Sequence, residues 1–254
     1  MNLKDKVVLV TGAGGGIGSA IVNRLIREGA VIVASDRSLD HLQDVIKTAE
    51  RHHAKIYPLV ADLAVKSDCD KLPQRAKEMG QKLDVLINNA GLMRRGNILD
   101  TTDEDWSLSM AVNVEAIFRL CRSAIRIMKS QGHGAIVNTA SCWGIYPGPN
   151  HFAYCTTKAA IAAMTRCLGR DHAADGIRVN AVCPNEVNTP MLRTGFEIRG
   201  FDPAEAIGKL NKTVPLGHIA EPDEIADVIA FLASNESRYM CGALLEVNGG
   251  KPVY

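Results

Sequence analysis

The sequence predicts an α/β fold, a doubly wound parallel sheet with helices on both faces, and three observations predict it. Short β-branched runs alternate with longer amphipathic stretches along the whole chain, which is the pattern of strand–helix–strand crossover units. A glycine cluster, TGAGGGIG from Thr11 to Gly18, follows the first such run and opens the first amphipathic stretch. The hydrophobic content is 46% with only 5% aromatic residues, which asks for an aliphatic, small-residue core of the kind parallel sheets bury.

The first strand is Val7–Thr11 (VVLVT), an unbroken run suited to burial on both faces. The helix after the glycine cluster runs to about Glu28 and is ended by Gly29. Strands over 31–35, 55–61 and 83–88 alternate with helices over 39–52 and 67–79. A long helix then opens at Thr102, with Asp105 placed three residues on as in a capping box. A fifth strand over 134–140, a second long helix over 154–174 and a sixth strand over 177–183 follow. Pro190, Pro203 and Pro215 then crowd one segment, so residues 189–217 are predicted as an irregular, mobile lid outside the sheet. A helix over 223–233 and a short strand over 243–247 close the pattern. No linker-like stretch divides the chain and no solenoid-period repeat is present, so residues 1–254 read as one domain.

Composition excludes several functions. Lys+Arg 29 against Asp+Glu 28 leaves a net charge of +1, without the dense basic footprint that a nucleic-acid surface needs. The seven cysteines are odd in number and include no CxxC pair, which predicts reduced, mostly buried thiols in a cytoplasmic protein. The start, MNLKDKVVLV, is charged at once and has no signal-peptide pattern. The uncharged stretch over 7–23 is broken by glycines and polar residues, so no membrane contact is expected. The seven histidines are scattered without HExxH or a Cys/His cluster, and no metal site is predicted.

Glycines at the first strand–helix junction let the backbone turn tightly and approach a pyrophosphate, while the helix N-terminus offers free N–H groups and positive dipole character. Gly12, Gly16 and Gly18 provide this turn in a GxxxGxG spacing. Asp36 falls at the end of the second strand, where a carboxylate accepts hydrogen bonds from both adenosine ribose hydroxyls and repels a 2′-phosphate. NAD is therefore favoured over NADP, although Arg37 beside it is a guanidinium able to hold such a phosphate. Asp62 and Leu63, after the third strand, are positioned to cover the adenine.

Tyr154 and Lys158 are i and i+4 on one predicted helix and so share a face. A phenol titrates near 10, too high for a base at neutral pH, but a neighbouring ammonium and an oxidised nicotinamide both favour the phenolate. Ser141, at the end of the fifth strand, is placed to hydrogen-bond a substrate oxygen and the alkoxide that develops on it.

The glycine turn, NNAG from Asn88 to Gly91, Asn113, Ser141 and YCTTK from Tyr154 to Lys158, in this order, resemble the short-chain dehydrogenase/reductase family over essentially the whole chain. The resemblance implies a Rossmann-like sheet and an oxidoreductase that moves a hydride between a secondary alcohol or ketone and a nicotinamide dinucleotide. It implies Tyr154 as acid/base, Lys158 as a further contact to the nicotinamide ribose, and Asn113 as the holder of a water joining Lys158 to solvent. Ile17, Asn89, Ala90, Gly91, Pro184, Val187 and Thr189 join the cofactor set on the same ground, and a homotetramer packed across the helices near 103–130 and 154–174 is implied as well. One departure stands out: where the family has Pro-Gly after the sixth strand, this chain has Pro184-Asn185-Glu186.

Residues positioned near the substrate by the resemblance are Arg94, Arg95, Trp143, Asn150, His151, Asn185 and Glu186, mostly hydrogen-bonding or charged groups. They predict a small polar alcohol such as a sugar, polyol or sugar acid, because steroid and long acyl pockets are lined mainly by apolar groups. The alternatives are an NADPH-dependent ketoreductase of the 3-oxoacyl type and a non-catalytic dinucleotide-binding regulator.

Overall fold

In the computed structural model, which describes residues 1–251, the β-branched runs become seven strands. They are β1 (Val7–Thr11), β2 (Val31–Asp36), β3 (Ile56–Val60), β4 (Val85–Asn88), β5 (Gly134–Thr139), β6 (Ile177–Pro184) and β7 (Leu244–Val247). Every pairing is parallel and the spatial order is β3-β2-β1-β4-β5-β6-β7. The helices are α1 (Gly16–Arg27), α2 (Leu39–Arg51), α3 (Lys66–Gly80), α4 (Asp103–Met110), α5 (Ala116–Gln131), α6 (Phe152–His172), α7 (Pro190–Glu197), α8 (Pro203–Asn211) and α9 (Pro222–Ala233).

The period-2 geometry of a strand explains why β1 is apolar throughout. Val8 and Val10 face one layer with Ile21, Leu25, Leu42, Ile225 and Ile229, whereas Val7 and Leu9 face the other with Leu72, Leu120, Ala124 and Ile161. α1, α2 and α9 thus cover one face, and α3, α5 and α6 the other. After β3 the chain returns past β1 to lay down β4, so the loops leaving β1 and β4 diverge from a common point at the carboxyl edge.

Three local features differ from the sequence expectation. The long helix after Thr102 is divided into α4 and α5 by a five-residue π segment, Ala111–Glu115, with Asn113 buried inside it. The capping box is half formed: Thr102 Oγ1 accepts from Asp105 N at 3.1 Å, but the Asp105 carboxylate pairs with Arg94 Nε at 3.0 Å. The segment over 189–217 is also more regular than predicted. Pro190 and Pro203 each lie in the first turn of a helix, behind N-caps Thr189 and Asp202, whose side chains accept from Leu192 N at 3.3 Å and Glu205 N at 2.8 Å. Proline lacks only an N–H that the first turn leaves unused, so these prolines start helices.

The amino edge of the sheet is fastened by Asp84, which is 3% exposed. Its carboxylate accepts from Val7 N at 2.8 Å and faces Lys6 Nζ at 3.2 Å, Lys82 Nζ at 2.9 Å and His133 Nε2 at 3.1 Å. Burial by itself would raise this carboxyl, yet the hydrogen bonds from the Val7 amide, Lys82 and His133 and the charge of Lys6 together hold it below the usual range. A depressed carboxyl contributes stability at pH values above its unfolded pKa, and that contribution is lost as pH falls through the folded one. All seven cysteines are free: Cys69, Cys121, Cys142, Cys155 and Cys183 are buried, while Cys167 and Cys241 are exposed. Among the described residues no helix is long and apolar enough to cross a membrane.

Candidate active site

At the junction of β1 and α1, Gly12 takes φ +63°, and a Cβ there would come within 2.9 Å of Ala90 Cα. The turn is braced from the loop after β4. Thr11 Oγ1 accepts from Asn89 N at 3.1 Å and Ala90 N at 3.2 Å, and Asn89 Nδ2 donates to Thr11 O at 3.2 Å and Gly12 O at 3.3 Å. Asn88 continues the brace inward, its Nδ2 donating to Asn138 Oδ1 at 2.9 Å, while Asn138 Nδ2 donates to Thr165 Oγ1 at 2.9 Å. The N-cap of α1, Gly15, makes no side-chain cap. Its first-turn N–H groups are therefore available to an anion. At the end of β2, the Asp36 carboxylate accepts from Gly14 N at 3.1 Å and Arg37 N at 2.8 Å and meets His41 Nδ1 at 2.8 Å. The Arg37 side chain is exposed. Asp62 Oδ1 closes a turn onto Ala64 N at 2.9 Å, and Leu63 packs on the core.

Further along the same edge, Ser141, Tyr154 and Lys158 line one cavity of about 350 Å³ with Ile17, Gly91 and Thr139. Ser141 follows β5; its Oγ accepts from Trp143 N at 3.1 Å and donates to Pro184 O at 3.4 Å. Lys158, one turn after Tyr154 on α6, is 5% exposed, with Nζ donating to Thr139 O at 2.7 Å and lying 5.7 Å from the Tyr154 ring centre. Asn113 reaches this cluster from the π segment. Its Oδ1 accepts from Leu92 N at 2.9 Å, and its Nδ2 donates to Leu92 O at 2.9 Å and Thr157 Oγ1 at 3.1 Å. A Cβ on Gly91 would stand 3.3 Å from Asn113 Oδ1 and 3.5 Å from Lys158 Nζ, so this glycine keeps the approach to both open.

Burial governs the protonation of the pair. It pushes the Tyr154 phenol above its ordinary value, with the Ser141 hydroxyl pulling it partly back. It pushes the Lys158 ammonium down to about 8. The acidifying effect on Tyr154 expected from the ammonium does not prevail in the protein alone. An unfolded lysine titrates near 10.4, so from about pH 8 to about pH 10 the folded chain binds fewer protons and this group's contribution to stability rises with pH. Thermal unfolding of wild type and Lys158→Met should therefore diverge in favour of the wild type across that window, by on the order of 2–3 kcal/mol. A pH-independent difference overturns the depressed lysine.

Comparison with known proteins agrees with this geometry. The family profile described as Enoyl-(Acyl carrier protein) reductase matches residues 12–251. The 3-oxoacyl-[acyl-carrier-protein] reductase FabG of Thermotoga maritima is 34% identical over 250 residues, covering 98% of this chain and 99% of the relative. Among solved structures, NAD+-bound xylitol dehydrogenase superposes with a TM-score of 0.92 at 30% identity, covering 98% of this chain and 100% of that one. L-sorbose reductase from Gluconobacter frateurii, solved with NADPH and L-sorbose, does so with a TM-score of 0.92 at 29% identity over 98% and 97% of the two chains. The chain belongs to the short-chain dehydrogenase/reductase family. As a member, it is an oxidoreductase of alcohols and ketones that uses a nicotinamide dinucleotide.

The residues present fit such a cofactor. The turn at Gly12 admits no side chain, the α1 N-terminus is uncapped, and Thr139 Oγ1 and Asn185 Nδ2, of two residues lining the cavity, are buried without a partner among the described residues. Gly12, Gly16, Gly18, Asp36, Arg37, Asp62 and Leu63 lie outside the cavity lining, along the neighbouring carboxyl edge. Pro184, Asn185, Glu186, Val187 and Thr189 line the cavity, as do Trp143 and His151. Glu186 Oε1 pairs with Lys251 Nζ at 2.8 Å, while its Oε2 is buried without a partner. This short-chain dehydrogenase/reductase thus replaces the usual glycine by an amide with an unsatisfied donor. Arg94 does not enter the cavity, because Asp105 holds it outside; the adjacent Arg95 enters instead, and Arg199 of the 189–217 segment joins it. Sequence reasoning missed Arg199, which no local motif marks, and missed Lys251, which reaches the site from the far end of the chain.

Proposed function

We propose that the protein interconverts a small polar secondary alcohol and its ketone with NAD(H), with Tyr154 as acid/base. What supports this reading is that Ser141, Tyr154 and Lys158 open into one cavity that the polar residues Asn185 and Glu186 also line. The dinucleotide, when bound, supplies the hydride acceptor. Tyr154, as phenolate, takes the proton of the substrate hydroxyl, and Ser141 hydrogen-bonds the same oxygen as it becomes a carbonyl. Lys158 favours the phenolate through its charge and holds the nicotinamide ribose, and Asn113 connects it to solvent through a water. Gly12, Gly16, Ile17 and Gly18 hold the pyrophosphate side, Asp62, Leu63, Asn89, Ala90 and Gly91 the adenosine side, and Pro184, Val187 and Thr189 the nicotinamide side. The segment over 189–217 acts as a lid.

The cofactor preference rests on Asp36, whose charge opposes a 2′-phosphate. With purified enzyme, kcat/KM for NAD should exceed that for NADP more than tenfold, and Asp36→Ala should remove most of the difference. A wild-type preference for NADP overturns the assignment. It would favour the second reading, an NADPH-dependent 3-oxoacyl reductase, which the resemblance to the Thermotoga maritima reductase and the exposed Arg37 support. Polyols and sugar acids, run beside 3-oxoacyl and steroid substrates, separate the two.

The helices near the expected two-fold axis carry a shallow apolar depression formed by Trp106, Met110, Phe118 and Met164. Burial of such a patch between copies of α4, α5 and α6 fits a homotetramer, which sedimentation measures. The seven unpaired thiols fit the reducing cytoplasm.

A further inference from the structure

Two guanidiniums reach the substrate cavity, Arg95 and Arg199, and both are held by groups that carry no negative charge. His151 is 6% exposed and donates through Nδ1 to Pro149 O at 2.7 Å, which leaves Nε2 to accept from Arg95 Nη1 at 2.6 Å. Trp143 fixes the imidazole edge-on, with ring centres 4.3 Å apart. Burial, with the charges of Arg95 and Arg199, keeps His151 below its ordinary pKa and hence neutral at pH 7. Arg199 lies over the rings of Phe196 at 4.7 Å and Phe201 at 5.5 Å, and its Nε donates to Gly195 O at 2.8 Å. Gly195 leaves room beside the Arg95 Nη2, since a Cβ there would stand at 3.2 Å.

Each cation is thus oriented by a neutral acceptor or by aromatic faces. Among the described residues neither guanidinium makes a further hydrogen bond, and both residues line the cavity. Partial burial, and after it the charge of Arg199, lowers the pKa of Arg95. Glu186, the carboxylate on the same wall, is engaged with Lys251. Two like charges on the wall of one cavity, with no ion pair to either among the described residues, are unfavourable in the empty protein and become favourable when an anion bridges them. A planar fork such as guanidinium matches a carboxylate in bidentate fashion.

We propose that Arg95 and Arg199 form the anion-binding end of the substrate pocket, and that the substrate is a small hydroxy acid whose carboxylate they clamp while its secondary hydroxyl meets Ser141 and Tyr154. His151 acts as a positioning residue for Arg95. The inference rests on the reading under Proposed function and narrows its substrate class from polar alcohols to acids.

Matched pairs test it with NAD in excess: gluconate against sorbitol, and 3-hydroxybutyrate against 1,3-butanediol. The better acid should exceed its neutral partner at least 100-fold in kcat/KM. Arg95→Met and Arg199→Met should each raise KM for that acid more than tenfold with kcat changed less than threefold, and Arg95→Lys should restore only part of the loss. Equal turnover of acids and neutral partners, or an acid preference that survives both substitutions, overturns the proposal. So does an equal fall in NAD affinity in the variants, which would assign the pair to the cofactor. A second measurement does not depend on turnover. Succinate should raise the melting temperature of the NAD-saturated protein above that in sodium chloride of equal ionic strength, and the double variant should lose the rise. If no alcohol reacts, the oxidoreductase reading of the site fails, but the succinate arm still decides the clamp: no rise, or one retained in the double variant, overturns it. A larger rise with inorganic phosphate or methanesulfonate overturns the carboxylate assignment.

Discussion

Replacing Tyr154 by phenylalanine is expected to lower turnover by about 10²–10⁴-fold while NAD binding stays within a few-fold of wild type. The substitution removes one oxygen and leaves the ring that faces the Lys158 ammonium at 5.7 Å, so packing around α6 persists. Lys158 keeps its bond to Thr139 O and Ser141 its bond to Pro184 O, since neither depends on the phenol. What disappears is the group proposed to exchange a proton with the substrate oxygen. Ser141 does not replace it, because in the proposed mechanism its hydroxyl only hydrogen-bonds the oxygen on which charge develops. Steady-state rates with the best alcohol, together with NAD titration by protein fluorescence, check both halves. Turnover that survives the substitution removes Tyr154 from the mechanism. An unreactive wild type that still binds NAD tightly would instead favour the non-catalytic regulator.

The second large effect is expected at Gly18. A Cβ there would penetrate the Gly12 carbonyl and approach Asn89 Nδ2 at 3.0 Å. Both neighbours are fixed, because Asn89 donates to Gly12 O and Thr11 O and so clamps the turn from the β4 side. Alanine normally improves a helix by up to about 1 kcal/mol over glycine, but overpacking a rigid site costs about 1–3 kcal/mol, or more where backbone must move. Gly18→Ala should accordingly lower the melting temperature and weaken NAD binding more than tenfold. Gly15→Ala is the internal contrast: its Cβ would stand 3.5 Å from Gly12 O, an ordinary contact, at φ −76°. That variant should keep its melting temperature within a few degrees. Equal behaviour of the two variants would show that the close approach at Gly18 does not organise the turn.

Much of the sheet and of the Ser141–Tyr154–Lys158 cluster was legible because it rests on short-range rules. Unbroken apolar runs mark strands buried on both faces, and the i, i+4 spacing puts Tyr154 and Lys158 on one side of α6. The illegible parts depend on choices between neighbours or on distant partners. Arg94 and Arg95 are equivalent in sequence, and only the Asp105 carboxylate, drawn away from its own helix cap, decides which one turns outward. The π segment around Asn113 is fixed by tertiary contacts to Leu92 and Thr157, which leave no trace in helical periodicity. In the 189–217 segment, prolines read as interruptions prove to be first-turn residues because Thr189 and Asp202 precede them as caps. Arg199 became visible only once α7 brought it back over the cavity.

The Asp84 knot has a consequence for laboratory evolution. It secures the amino edge through Lys6, Lys82 and His133, none of which lines the reaction cavity, whereas α7 and α8 contribute to the cavity wall at the opposite edge. Libraries randomised between 185 and 212 can therefore explore new selectivities while the anchorage of the scaffold remains untouched. Selection media more acidic than about pH 4, in contrast, would discard clones for weakness at Asp84 that has nothing to do with their chemistry.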